Sequence, residues 1–491
     1  MKITRIIFMS AVILIIFQLF TACANDDGEI KTTSENSSST GNEEDNEETA
    51  AEPPQRPALD LPDEKYGGYK FRIINSPSDE MRANTTIFTE EETGEGVNDA
   101  VYKRNRLVEE RFDIEVTEIK AGRWDITAQA TKSIRAELDE YDLIMYSLDE
   151  GPGIAQNKMA VAYNDIPYVD LTQSWWDRDM VRDLSIGGKN YFVTGAFSLI
   201  HNDKTQGMFF NKKLHQELEL ESLYLLVESG KWTFDKFNEM VKDITKDLDG
   251  DGLFTEKDRY GLITWPWVYG NAFMASAGQQ MVGKDADDMH LFNADNEKFI
   301  NVFQKLMGIM HEGNMLFNEQ GNYTADYLQM FINDQTLFYC TNLYMAVGMR
   351  GMETDFGIIP IPKYDENQGR YYSYVYPPPV MIVPVTTQDL NRTGMVLEAL
   401  CYESTDTVVK AYYDDLLKTK ITRDDESEGM LDVIFGNRIY SVTDIYYMSE
   451  TYESFYNLCD KKDANIVSWI EQRKDRIQSA IDKNNEMFGS N

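Results

Sequence analysis

The sequence has little of what many catalytic and nucleic-acid-binding chains are built around. Its 491 residues include four cysteines and four histidines. The cysteines, at 23, 340, 401 and 459, form no paired C-x-x-C and have no metal-ligand spacing. With Cys23 set aside, an odd three remain, which is no disulfide framework. Each of those three sits among apolar or aromatic neighbours and is expected to pack as a small hydrophobe. The histidines, at 201, 215, 290 and 311, give no H-E-x-x-H pair, and neither G-x-S-x-G nor G-x-x-x-x-G-K-[ST] occurs. Positive charge is scarce as well. Lys and Arg number 47 against 83 Asp and Glu, a formal net charge of -36, which argues against binding nucleic acid by phosphate neutralisation.

Long apolar runs are confined to the start. "IIFMSAVILIIFQLF" (6–20) follows Lys2 and Arg5 and is too short to span a membrane comfortably. It leads into "LFTACAN", small residues before Cys23, which resembles a bacterial lipobox with Phe20 where Leu is usual. Residues 1–22 are therefore expected to be a lipoprotein signal peptide, and Cys23 to carry the lipid and anchor the chain to a membrane. Residues 24–65 then hold 13 Asp or Glu and 3 Lys or Arg, with Ser, Thr, Asn and Pro and almost nothing apolar to bury. The segment 23–65 is expected to be a disordered, self-repelling tether.

A folded body is expected from about Tyr66, and its length implies more than one lobe. "YKFRII" (69–74) reads as a strand, and 97–112 as a helix with Val97, Val101, Val108 and Phe112 on one face. "DIEVTEI" reads as a strand, 124–138 as a helix and 141–147 as a third strand. This β-α-β-α-β order predicts a parallel sheet with right-handed crossovers, whose ligands collect beyond the carboxyl ends of its strands. Further on, 188–197 reads as a strand, 205–214 as strand into helix, and Thr233 as the N-cap of a helix carrying Phe234, Phe237 and Val241. Helices are expected over 296–313, 394–404 and 464–488, and strands at "TLFYCTN" and "DFGIIPIP". No internal repeat is visible.

The ordered set "GMFFNKKL", "GKWTFDKFNEMVKDITKDLDGDG", "YGL" and "FGIIPIPKYD" resembles the type 1, sugar-binding extracellular solute-binding proteins, the lipoprotein receptors of ABC importers. The resemblance implies a two-lobed α/β fold of the type II periplasmic-binding-protein kind, with an interlobe cleft and crossing hinge strands. It places 66–198 and 320–370 in lobe 1, 206–318 and 380–491 in lobe 2, and the crossings at 199–205 and 371–379. It implies a non-enzymatic monomer that captures a carbohydrate, an oligosaccharide, by closing its hinge. The solute would pass to membrane permease subunits at the extracellular face of the cytoplasmic membrane.

A sugar site needs aromatic platforms and planar polar groups. Four aromatic clusters offer platforms: 174–177, 264–271, 370–379 and 444–456. In the resembled family the segment after the "YGL" strand often carries a stacking aromatic, which singles out Trp265, Trp267 and Tyr269. Ser147, Asp149 and Glu150 fall where that family uses polar contacts, and Asn342 and Tyr344 where another aromatic commonly sits. Asp444 and Tyr447 are further candidates, while Trp232, opening a helix, is expected to be a packing anchor.

"DLDGDGLFTEKD" (247–258) matches a calcium loop apart from its last residue. Asp247, Asp249, Asp251, the Leu253 carbonyl, Thr255 and Asp258 fall at the ligating positions. A strand-like "RYGLIT" follows instead of an exiting helix, and no second loop exists, so the expectation is one structural Ca2+ clip. Two other classes stay open at this point. A secreted glycan-active hydrolase would need two carboxylates, which are plentiful, and a surface adhesin lipoprotein would need no cleft.

Overall fold

Residues 69–147 fold as their side-chain periods require. β1 (Tyr69–Asn75) pairs in parallel with β2 (Ile114–Lys120), and helix Gly96–Phe112 crosses between them with Val97, Val101, Val108 and Phe112 buried. Helix Ile126–Arg135 crosses to β3 (Leu143–Ser147), parallel to β1 and buried along its whole length, as a strand covered on both faces must be.

The computed structural model describes residues 56–148, 152–311, 325–418 and 425–489. The chain divides into two compact units, Met1–Ala58 and Leu59–Asn491. Of the first, only 56–58 are described, as irregular chain. The signal segment, Cys23 and most of the tether lie outside the described residues. Within the second unit the body begins earlier than expected. Leu59 and Leu61 pack on the core that holds Phe71 and Val116, because they bring apolar side chains to the end of an otherwise polar stretch.

After β3 the chain passes through 199–205 to a second sheet. It contains β4 (Gln206–Asn211), β5 (Tyr260–Ile263), β8 (Thr336–Asn342) and β9 (Phe356–Ile359), with a separate hairpin of β6 (Val282–Lys284) and β7 (His290–Phe292) between. The order is β5-β8-β4-β9, with β4 antiparallel to both neighbours and β5 parallel to β8. The chain then returns through β10 (Ser373–Tyr374) to β11 (Pro379–Ile382), which completes the first sheet in the order β11-β3-β1-β2, antiparallel to β3. β12 (Arg438–Ile439) pairs with β10.

Strand pairing corrects the assignment of segments to lobes. Segment 320–370 was expected with the first sheet, but both its strands flank or adjoin β4 in the second. Segment 380–491 was expected wholly with the second sheet. Instead β11 joins the first, and helix Leu390–Asp406 buries Val396, Leu397 and Leu400 in the first sheet's core. Its Gly394 is pressed against the Pro167 carbonyl, where a Cβ would collide. Residues 188–197 form isolated bridges, such as Val193 to Met381, and no regular strand. These placements depend on partners far away in sequence, which local periodicity does not encode.

The segments 199–205 and 371–379 run side by side. Thr205 bridges Val375, the Tyr376 amide donates to the Lys204 carbonyl at 3.2 Å, and Tyr376–Pro377 is cis. Arg438 holds them from β12, donating to Thr205 Oγ1 at 3.2 Å, to Asn202 and to Asp177 at 3.4 Å. Among the described residues no helix is long and apolar enough to cross a membrane.

Candidate ligand cleft

The crossings decide which ends of the two sheets face each other. Pro379 opens β11 directly after the returning crossing and pairs with Ser147, the last residue of β3. Gln206 opens β4 directly after the outgoing crossing and pairs with Asn342, the last residue of β8. The carboxyl ends of β3 and β8, and of β5 beside β8, are therefore turned toward the seam between lobes.

Polar atoms at these ends lack partners. Ser147 Oγ, Gln206 Oε1 and Asn342 Oδ1 are buried and make no hydrogen bond within the protein. A buried polar atom left unsatisfied costs about 1–3 kcal/mol, so its recurrence on both sides of one seam points to a ligand that satisfies it. Ser147 can donate or accept, and the two amide oxygens accept, a set that suits a solute carrying hydroxyls.

Aromatic rings stand beside them. Trp265 follows β5 as the N-cap residue of helix Pro266–Ser276 and meets Tyr327 edge-on at 4.8 Å. Trp267 meets Tyr376 of the crossing at 5.4 Å, and Tyr376 stacks at 5.8 Å on Tyr374. Both tryptophans are only partly buried. Pro266 occupies the first turn of that helix, where its missing N–H is no loss, and the helix runs on from there.

Of the residues singled out from sequence, Ser147, Trp265, Trp267, Asn342 and the half-buried Tyr344 come to this seam. Asp149 and Glu150 lie outside the described residues. Three others are corrected. Tyr269 is fully buried, its hydroxyl donating to the Leu306 carbonyl and its ring 4.4 Å from Phe273. Tyr447 is fully buried and bonded through its hydroxyl to His290 Nδ1 at 2.8 Å. Asp444 is buried and accepts the Tyr374 hydroxyl at 2.6 Å, and burial raises its carboxyl pKa above the ordinary value. Tyr269 and Tyr447 have interior partners inside lobe 2, and Asp444 is engaged by Tyr374 of the returning crossing, which local sequence could not show. Trp232 is the expected packing anchor, fully buried with its indole donating to the Pro360 carbonyl.

Sequence reasoning missed Gln206 and Trp124, and took in Tyr376 only as part of the 370–379 cluster. Trp124 sits 66% exposed in the loop after β2, at the same carboxyl end of the first sheet, with Arg123 stacked 4.7 Å from its ring. The one available signal was position: a Trp directly after a parallel strand, and a Tyr before the proline run.

The aspartate loop occupies the opposite end of β5. Its base is closed by paired backbone bonds between Lys246 and Arg259. Asp247 accepts from the amides of Gly250 and Gly252 at 2.6 and 2.9 Å, and both glycines have positive φ, near 74° and 79°. Asp251 accepts from the Leu253 amide. Asp258, fully buried, accepts from the amides of Leu248 and Thr255. Burial pushes its pKa up, but those amides outweigh it and hold the carboxyl below the ordinary value. Carboxylate oxygens of Asp247, Asp249 and Asp258 lie within 4.8 Å of one another, so three of the six expected ligands converge as hard oxygens suited to Ca2+. Asp251 is not among the converging carboxylates, while the Thr255 hydroxyl lies 3.4 Å from Asp258 Oδ2.

No family model matches the sequence, and no curated protein is found similar to it. The fold, by contrast, matches many solved structures. The sugar-binding protein MalE from the phytopathogen Xanthomonas citri aligns with a TM-score of 0.60 at 12% identity, over 86% of this chain and 100% of that one. An extracellular solute-binding protein from Staphylococcus aureus in complex with maltose gives 0.58 at 12%, over 87% and 99%. A sugar transporter protein from Rhizobium etli in an open conformation gives 0.56 at 10%, over 86% and 100%. At these identities the likeness establishes the architecture, the two-lobed α/β fold of type II periplasmic binding proteins.

Proposed function

We propose that this chain is the carbohydrate receptor of an ABC importer. It captures a sugar, most simply an oligosaccharide, between its lobes and presents it to permease subunits in the membrane. The observation that carries this reading is the seam itself, where orphaned polar atoms on both sheets lie beside partly exposed tryptophans. The bound states named for similar folds, maltose among them, agree with that chemistry. Hydroxyls of the solute supply the missing hydrogen bonds, and its C–H faces stack on Trp265 and Trp267.

Binding then works by population shift. A ligand held by one lobe gains the contacts of the other only in the closed form, so it stabilises closure by its differential affinity. No covalent step is required, and the chain acts as a binding protein and not as an enzyme. The lipid on Cys23 and the acidic tether would keep a monomeric receptor at the extracellular face of the membrane, within reach of the permease. A single Ca2+ at Asp247, Asp249 and Asp258 would pin the loop before β5 and take no part in binding the sugar.

A thermal-shift screen over a glycan library, with X-ray scattering on the hits, tests the proposal. Stabilisation by a sugar together with compaction is expected. Hydrolysis of a glycan with no stabilisation by any would overturn it.

A further inference from the structure

Outside the cleft, helices Met448–Asp460 and Ile466–Gly489 flank a groove of about 610 Å³, within the size range of small-molecule sites. None of its lining residues belongs to the crossings or to the sheet ends at the seam. Three features point to the ligand it takes.

First, the groove contains the start of the 24-residue helix Ile466–Gly489, with Asn465 and Ser468 in its wall. The unpaired amides and positive dipole end of a helix start favour an anion. Second, Lys461, Arg473 and Arg476 line it, in a chain whose net charge is -36. Arg473 lies 5.2 Å from the Trp469 ring and donates to Gln472 Oε1 at 3.4 Å, and Arg476 donates to the Ser449 carbonyl at 3.2 Å, so among the described residues most of their N–H groups have no acceptor. Among the described residues two carboxylates line the wall against these three cations, Glu450, which accepts the Ser449 hydroxyl, and Asp463, which accepts the Asn465 amide. Third, Trp469 is 4% exposed, and its indole N–H has no partner. An unmet buried donor in a wall already rich in donors calls for an acceptor from outside.

We propose that this groove is a second binding site, for the oxyanion group of a small solute, a phosphate or a carboxylate such as that of a sugar acid. Arg473 and Arg476 would clamp the anion, with the indole N–H and the helix start as neutral donors. Binding here is independent of the cleft.

The test follows the indole N–H resonance of Trp469 in the full chain, identified by its loss in Trp469→Phe, during titration with inorganic phosphate, with glucuronate and with neutral glucose. A saturable shift with phosphate or with glucuronate, and none with glucose, is expected. Whichever anion binds more tightly identifies the source. Arg473→Gln and Arg476→Gln should each weaken binding about tenfold, and Lys461→Gln by less. Absence of a shift with either anion, equal shifts with glucose, or unchanged titration of all three variants would overturn the proposal. Lys461 is a surface residue outside the core, so its variant keeps the test decisive if an arginine variant misfolds.

Discussion

β5 is only four residues long, about 13 Å of extended chain, yet its two ends solve opposite problems. At the amino end, the carboxylates of Asp247, Asp251 and Asp258 are met by the loop's own amides. At the carboxyl end, Gln206 and Asn342 keep oxygens without partners beside Trp265. A loop that satisfies itself holds its own shape, whereas an edge that does not is prepared for something else. Abundance of charge misdirects attention here: the conspicuous aspartates mark the end that satisfies itself, and plain amides mark the proposed binding end.

The contrast can be broken by mutation. The largest effect is expected from Trp267→Ala, which should weaken sugar binding by about 2 kcal/mol, roughly thirtyfold, with little change in melting temperature. Calorimetry measures this, and wild-type affinity would remove the tryptophan from the site. At the other end, Asp258→Ala strips the charged acceptor from the part-buried amides of Leu248 and Thr255 and should cost about 2 kcal/mol of stability, seen as a lower melting temperature with the sugar affinity unchanged. A loss of affinity in that variant would join the two ends functionally and undo the distinction.

Acid provides a finer test. The folded-state pKa of Asp258 lies below its ordinary value of about 3.8, so its contribution is present above that value and is lost as the pH falls below it. The gap in melting temperature between wild type and Asp258→Asn should therefore narrow as the solution is acidified. A gap independent of pH would mean that the carboxylate charge is not what the amides hold. Smallest of all is Ser147→Ala. Removing a buried hydroxyl that has no partner should raise the stability of the ligand-free protein, by about 1 kcal/mol, while lowering affinity by about 1 kcal/mol, close to fivefold. A clear destabilisation would show that the hydroxyl has a structural role.

Much of the fold was legible locally. The β-α-β-α-β opening, the Thr233 cap and the stripe of Val97, Val101 and Val108 follow from periods of two and 3.6 and from capping chemistry. Ser147 and Asn342 could be picked out because residues at the carboxyl ends of strands reach the seam in this architecture. Tyr269, Asp444 and Tyr447 could not be sorted correctly, since an aromatic or acid on a short helix looks the same whether it faces a cleft or, like Tyr447, a buried histidine. The tryptophans at 175 and 176 make the same point. They looked like a platform and instead both donate to Glu398, more than 200 residues away, whose carboxyl burial raises to about 7.

The sequence by itself determined the secondary elements, the acidic stretch before the body, the self-capping aspartate turn and the polar and aromatic residues available for a ligand. These are local properties, set by side-chain period, charge density and hydrogen bonds a few residues long. Tertiary structure alone decided that β8 and β9 belong with β4, that β11 returns to β3, and so which strand ends meet across the crossings. Those pairings join residues up to about 240 positions apart, and only they determine which polar atoms are left without a partner.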